Sequence, residues 1–228
     1  CKDDFADINT NPTIVSKPDP RYLFTQALAN FDGHDYFAWY YDYNNMLRWS
    51  QTVASTGGNE NLMTTMSNSG KMGSQVYNVM NQVNELTYIV NTTLEGEEQA
   101  KYTYLKALCQ PLMIYLAMWD TDMYGSMAYT EAYQARYGGT LTPKYDTQAE
   151  LFDLWEKQLK ETVETLANDV TIDGNKVTQQ SLGSQDIIYQ GDYTKWLKFA
   201  NSLRLKLAVR LINEDKDRAL NIVRDAAK

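Results

Sequence analysis

Histidine is almost missing from this sequence of 228 residues: the only one is His34, and cysteine occurs only at Cys1 and Cys109. His34 follows Gly33 at a predicted helix break and no G-x-S-x-G elbow occurs, which nearly excludes a Ser-His-Asp nucleophile. Cysteine catalysis would need Cys109 exposed near that histidine. Its setting, ALCQPLMIYLAMW at 107–119, predicts instead a buried helix in which a thiol behaves as a small hydrophobe, and no disulfide is expected. Positive charge is also scarce, with 21 Lys and Arg against 29 Asp and Glu. The net charge of −8 and pI near 4.7 argue against a phosphate-backbone binder and against adsorption to anionic lipid, so nucleic acid is not an expected partner. The longest apolar run, 107–119, falls short of the roughly 20 residues that cross a bilayer and contains Gln110 and Pro111.

Metal and hydrolytic chemistry find little support. Asp169, Thr171, Asp173 and Gly174 imitate the first half of an EF-hand loop, yet position twelve is Gln180 where a bidentate glutamate is required. Neither a metal nor a cofactor is expected. Asp120, Asp122, Glu131 and Asp146 could supply a carboxylate pair for glycoside hydrolysis, but nothing in their order sets the separation of about 5 to 10 Å that the reaction needs. No catalytic residue is assigned, and an α-helical glycoside hydrolase is the last of three functional alternatives.

What is present is helical periodicity. Residues 1–18, with Pro12 and Pro18, have no sustained period and read as an extended tether ahead of a helical domain over 19–228. Asp19 and Pro20 open a helix carrying Leu23, Phe24, Ala27, Leu28 and Phe31. A second helix is predicted over about 35–54, with Tyr36, Trp39, Tyr40, Tyr43 and Leu47 on one face. The Gly, Ser, Thr and Asn of 55–71 then form a loop. Val76, Val79, Met80, Val83, Leu86 and Val90 define an amphipathic helix ending near Asn91. Another is expected over 98–120, kinked at Pro111, which removes the donor for the Ala107 carbonyl. Residues 121–145 are irregular and rich in tyrosine. Thr147 and Glu150 form a capping box before a helix carrying Leu151, Leu154, Trp155, Leu159, Val163 and Leu166. A loop over 168–185 follows.

The chain is organised around 186–212, DIIYQGDYTKWLKFANSLRLKLAVRLI. Asp192 caps the helix start. Trp196, Phe199, Ala200, Leu203, Leu207 and Leu211 share one face, and Leu197, Leu205, Ala208 and Ile212 form a second stripe, so the helix should be covered on two sides. Lys195, Lys198, Arg204, Lys206 and Arg210 would solvate the remaining face. A last helix starts near Asp217, with Ala219, Leu220 and Val223 apolar. No stretch sustains period-two alternation. The class is all-α, and the pattern of paired helices suggests tetratricopeptide-like stacked hairpins with long irregular loops.

Aromatic density is the signal closest to a ligand. Sugar rings lay flat C–H faces on Trp and Tyr while neighbouring amides and carboxylates bond their hydroxyls, so a glycan site needs both residue types together. Two stretches offer this, Trp39–Trp49 with the loop behind it, and Tyr124–Tyr137. The candidate ligand contacts are Tyr41, Asn44, Asn45, Trp49, Asn59, Glu60 and Asn61.

The segment D-IIYQGD-KW-KFANSLRLKLAVRL resembles a signature of the SusD/RagB family of nutrient-binding outer-membrane lipoproteins. YGSMAYTEAYQ at 124–134 looks like that family's YGDIPYSEA segment, departing from it at Ser126, Met127 and Ala128, and PKYDTQAELFD at 143–153 is similar to its PKYD-x-Q segment. The resemblance implies a helical scaffold held to the outer membrane by lipid on Cys1 and facing outward. It would bind an oligosaccharide or other nutrient oligomer and deliver it to a SusC-like TonB-dependent transporter. CKDD also resembles the acidic tag that follows a lipidated cysteine, the other reading of Cys1 being an arbitrary boundary. Family members are commonly about twice as long, so the chain is expected to be a fragment or to lack half of the pocket. A helical scaffold that binds only protein is the alternative.

Overall fold

The computed structural model describes residues 18–31, 46–54 and 76–227. Its elements, in chain order, are α1 (Pro20–Ala29), a single helical turn α2 (Leu47–Trp49), α3 (Val76–Thr93), α4 (Gly96–Ala100) and α5 (Thr103–Tyr124). A 3-10 turn at Ala135–Tyr137, α6 (Gln148–Ala167), a two-stranded hairpin of β1 (Thr171–Ile172) and β2 (Asn175–Lys176), and a 3-10 turn at Gly183–Gln185 follow. The last two helices are α7 (Tyr193–Leu211) and α8 (Lys216–Ala226). Successive long helices lie against one another, α3 on α5, α5 on α6, α6 on α7 and α7 on α8, while α1 packs on α3 and α7 also reaches α5. This is the helical stack that the periodicity predicts, and among the described residues no helix is long and apolar enough to cross a membrane.

The helix starts follow their capping residues. Asp19 accepts from the Arg21 amide, Thr147 and Glu150 close the capping box, and Asp192 accepts from the Thr194 and Lys195 amides at 3.0 and 3.2 Å. All six apolar residues singled out on α3 are buried. α5 runs on through Pro111, and the Ala107 carbonyl that proline deprives of its helical donor lies 3.3 Å from Thr162 Oγ1 of α6. That hydroxyl shares its proton with the Gln158 carbonyl, at 2.9 Å. Cys109 is buried within α5, where its thiol donates to the Leu105 carbonyl and burial pushes its pKa up to about 12.

Several expectations change. The helix predicted over 35–54 lies mostly outside the described residues, and within 46–54 only Leu47–Trp49 is α-helical before Gln51 turns to a φ of 58°. The single helix expected over 98–120 is two, α4 and α5, the second reaching Tyr124, where Gly125 ends it at φ 75°. Residues read as loop fold into the β1–β2 hairpin because Asp173-Gly174 supplies two consecutive positive-φ residues, the backbone a tight hairpin turn needs. Asp169 pairs with Lys176 at 2.7 Å, so the segment that imitates a calcium loop is committed to the hairpin. In α8 it is Ile222, with Ala219, that is buried, while Val223 is 36% exposed.

α7 is partly as expected. Trp196, Ala200, Leu203, Leu207 and Leu211 are buried, but in the second stripe only Ala208 is, with Leu205 and Ile212 exposed. Arg204 does not solvate a free face. Its guanidinium is buried and bonds Glu156 of α6 at 2.8 Å and Asp225 of α8 at 2.7 Å, fastening three helices together.

The loop entering α7 has its own centre. Asp186, fully buried, accepts from the amides of Ile188, Tyr189 and Gly191, each at 3.0 Å, and from Trp196 Nε1 at 2.7 Å. Gly191, at φ 80°, sits so close to the 183–185 turn that a Cβ there would lie 2.9 Å from the Gly183 nitrogen. The Trp196 ring then meets Phe24 of α1, Tyr189 and Phe199 edge-on, which joins the first described helix to the seventh.

Candidate functional site

Of the predicted ligand contacts the structure places one. Trp49 ends the α2 turn and is 36% exposed, beside Arg48, which is largely buried. Tyr41, Asn44, Asn45, Asn59, Glu60 and Asn61 lie outside the described residues, as does Cys1.

The second aromatic stretch is described throughout. Residues 125–146 form a loop laid along α3 and folded back on itself. Met127 and Asp146 pair as an antiparallel bridge, their backbones exchanging hydrogen bonds of 3.1 and 2.9 Å. The Asp146 carboxylate then gathers the Tyr129 and Thr130 amides and the Thr130 hydroxyl, with the Lys144 ammonium at 3.2 Å. Burial raises its pKa, but the Thr130, Lys144 and Tyr129 bonds outweigh burial and hold it below the ordinary carboxylate value. Glu131 accepts from the Lys144 amide at 2.9 Å, a second tie between the two halves of the loop.

Tyrosines attach this loop to α3. Tyr77 donates its hydroxyl to the Ala128 carbonyl at 2.7 Å and stacks on Tyr133, with centroids 5.7 Å apart. Three helical turns on, Tyr88 packs against Tyr137 at 4.8 Å, and the Tyr137 hydroxyl donates to Glu85 at 2.6 Å. Arg136 bonds the other oxygen of Glu85 at 3.1 Å. Burial raises the Tyr77 pKa to about 12, and burial together with the Glu85 carboxylate raises that of Tyr137, so both hydroxyls remain protonated donors at neutral pH. Tyr88, Tyr124, Tyr133 and Tyr145 stay exposed. Tyr77, Glu85 and Tyr88 were not among the sequence candidates because they fall on the flank of an amphipathic helix. The available signal was the spacing of the two tyrosines, eleven residues apart on one side of α3.

The carboxylates considered for hydrolysis all have other partners. Asp120 accepts from the Val76 amide at the start of α3, Asp122 pairs with Arg210, and Glu131 and Asp146 hold the loop. Among the described residues no group of three His, Cys, Asp or Glu side chains converges as a metal site would require.

The scaffold is thus a stack of helices carrying a tyrosine-rich loop on α3 and a buried aspartate ahead of α7. A family model named SusD-like, described as starch-binding and associating with the outer membrane, matches residues 12–228, and the chain belongs to that family. Among solved structures it resembles a chitin-binding protein, with 24% identity and a TM-score of 0.67. It also resembles a SusD homologue from Parabacteroides distasonis, at 21% and 0.66, and a chitin-binding SusD homologue from Flavobacterium johnsoniae, at 23% and 0.63. Each match covers 91% of this chain but only 42%, 38% and 40% of those proteins in turn, and at this identity it speaks to the fold. Comparison with curated proteins returns no match.

Proposed function

We propose that the protein binds a glycan at the bacterial cell surface and delivers it to a SusC-like TonB-dependent transporter, making and breaking no covalent bond. The observation that carries this reading is the family match over residues 12–228, whose description joins starch binding to the outer membrane. Two solved relatives with the same fold are named as chitin-binding. The half-exposed aromatic side chains beside amides and carboxylates are the surface chemistry that sugar rings require. Lipid on Cys1 would hold the protein to the membrane, since each buried methylene contributes about 0.8 kcal/mol and several acyl chains anchor firmly. The ligand contacts proposed on sequence grounds are Trp49 with Tyr41, Asn44, Asn45, Asn59, Glu60 and Asn61.

The test is calorimetry against malto- and chito-oligosaccharides together with affinity purification from the native host. Saturable binding of one sugar class and recovery of a barrel transporter support the proposal. Recovery of the transporter with no sugar bound would favour a scaffold for protein alone. Release of reducing sugar that disappears in Asp120→Asn or Asp122→Asn would overturn the non-enzymatic reading.

A further inference from the structure

Two of the four tyrosines at this junction fasten the loop through their hydroxyls as well as their rings. Tyr77 and Tyr137 each use their hydroxyl to hold the loop, on Ala128 and Glu85 respectively. Tyr133 and Tyr88 do not. They are 49% and 43% exposed. Tyr133 moreover has a φ of 57°, the left-handed region that a bulky side chain adopts only when its surroundings impose it. Asn84 reaches the Ala132 and Tyr133 carbonyls at 3.4 Å, and the ring is steadied from one side by Tyr77. This left-handed residue thus presents an aromatic ring that stacks on Tyr77 on one side and is 49% exposed.

Spacing adds a second, independent argument. Tyr77 and Tyr88 are eleven residues apart, which on an α-helix is about 16 Å of rise and within about 20° of the same direction. Both rings therefore lie along one side of α3. Between them the helix presents Asn81, exposed, and then Glu85 with Arg136 at its edge, the latter's side chain 74% exposed. No aliphatic side chain interrupts the row. A protein partner would be met by an apolar centre, whereas rings separated by amide, carboxylate and guanidinium groups suit a chain of hydroxylated rings.

We propose that this side of α3 is a second platform for an extended oligosaccharide, one sugar ring lying on Tyr133, another on Tyr88, and the hydroxyls between them met by Asn81, Glu85 and Arg136. It rests on the glycan reading and adds a length requirement, because Tyr77, on which Tyr133 stacks, and Tyr88 are about 16 Å apart along α3, more than a single sugar spans.

The test is titration calorimetry of the whole chain with chitin and maltose oligomers from dimer to hexamer, on wild type, Tyr88→Ala, Tyr133→Gly and Trp49→Ala. Glycine accepts the left-handed backbone, so Tyr133→Gly removes the ring without adding strain, and thermal melts of each variant report folding separately. Expected is a loss of about tenfold in hexamer affinity for each tyrosine variant, with dimer affinity much less affected. Unchanged hexamer affinity in both tyrosine variants overturns the proposal, and if Trp49→Ala alone abolishes binding the glycan reading still stands. Failure of the wild type to bind any oligomer would remove both.

Discussion

Asp186 and Trp196 form a buried polar junction ahead of α7. A buried carboxylate is tolerable only when its lone pairs are filled, and here three backbone amides and an indole N–H fill them. Asp186→Ala would leave those donors buried without an acceptor, and a loss of at least about 3 kcal/mol is expected in urea denaturation. Trp196→Ala also removes a ring that joins α1 to α7 and should lose about 3 to 5 kcal/mol. Trp49, with more than a third of its surface open, is the contrasting case. Trp49→Ala should weaken oligosaccharide binding while leaving the melting temperature nearly unchanged, and thermal melts paired with titrations on both tryptophan variants check this division.

Between elements, two charged groups hold the assembly. Arg204 of α7 lies between Glu156 and Asp225, and its burial is offset by these two ion pairs. Arg204→Ala would remove the buried cation that Glu156 and Asp225 share, so about 1.5 to 3 kcal/mol should be lost in denaturant titration. Asp146 plays the corresponding part in the loop beside α3. Its carboxyl titrates below the ordinary value in the folded protein, so its contribution is fully present above the unfolded carboxylate pKa. That contribution is lost as pH falls from about 4 through the lower folded value. Asp146→Asn should therefore destabilise at neutral pH by about 1 to 3 kcal/mol and converge on wild type in strong acid, measured by denaturation across that range.

Across the whole molecule α5 is the central element, burying twelve residues and touching α1, α3, α6 and α7. Backbone amide exchange should be slowest there, and faster in α8, whose buried residues are Ala219 and Ile222. The helical class and most helix starts were legible in the sequence, because periodicity and capping act within a few residues: the α3 stripe, the Thr147–Glu150 box and the Asp192 cap are all local. The motifs at 124–134, 143–153 and 186–212 likewise identified the family before any contact was known. The fate of charge was not legible. Arg204 read as a solvating residue because the carboxylates that take it inside are 48 and 21 residues away. The second stripe of α7 read as buried because periodicity reports an apolar face without saying whether anything covers it. For the same reason the tyrosine row of α3 stood out only once the loop was laid upon it. Local order along a helix is written in neighbouring residues, whereas burial, pairing and exposure depend on which distant segments meet, and that was decided by the tertiary structure alone.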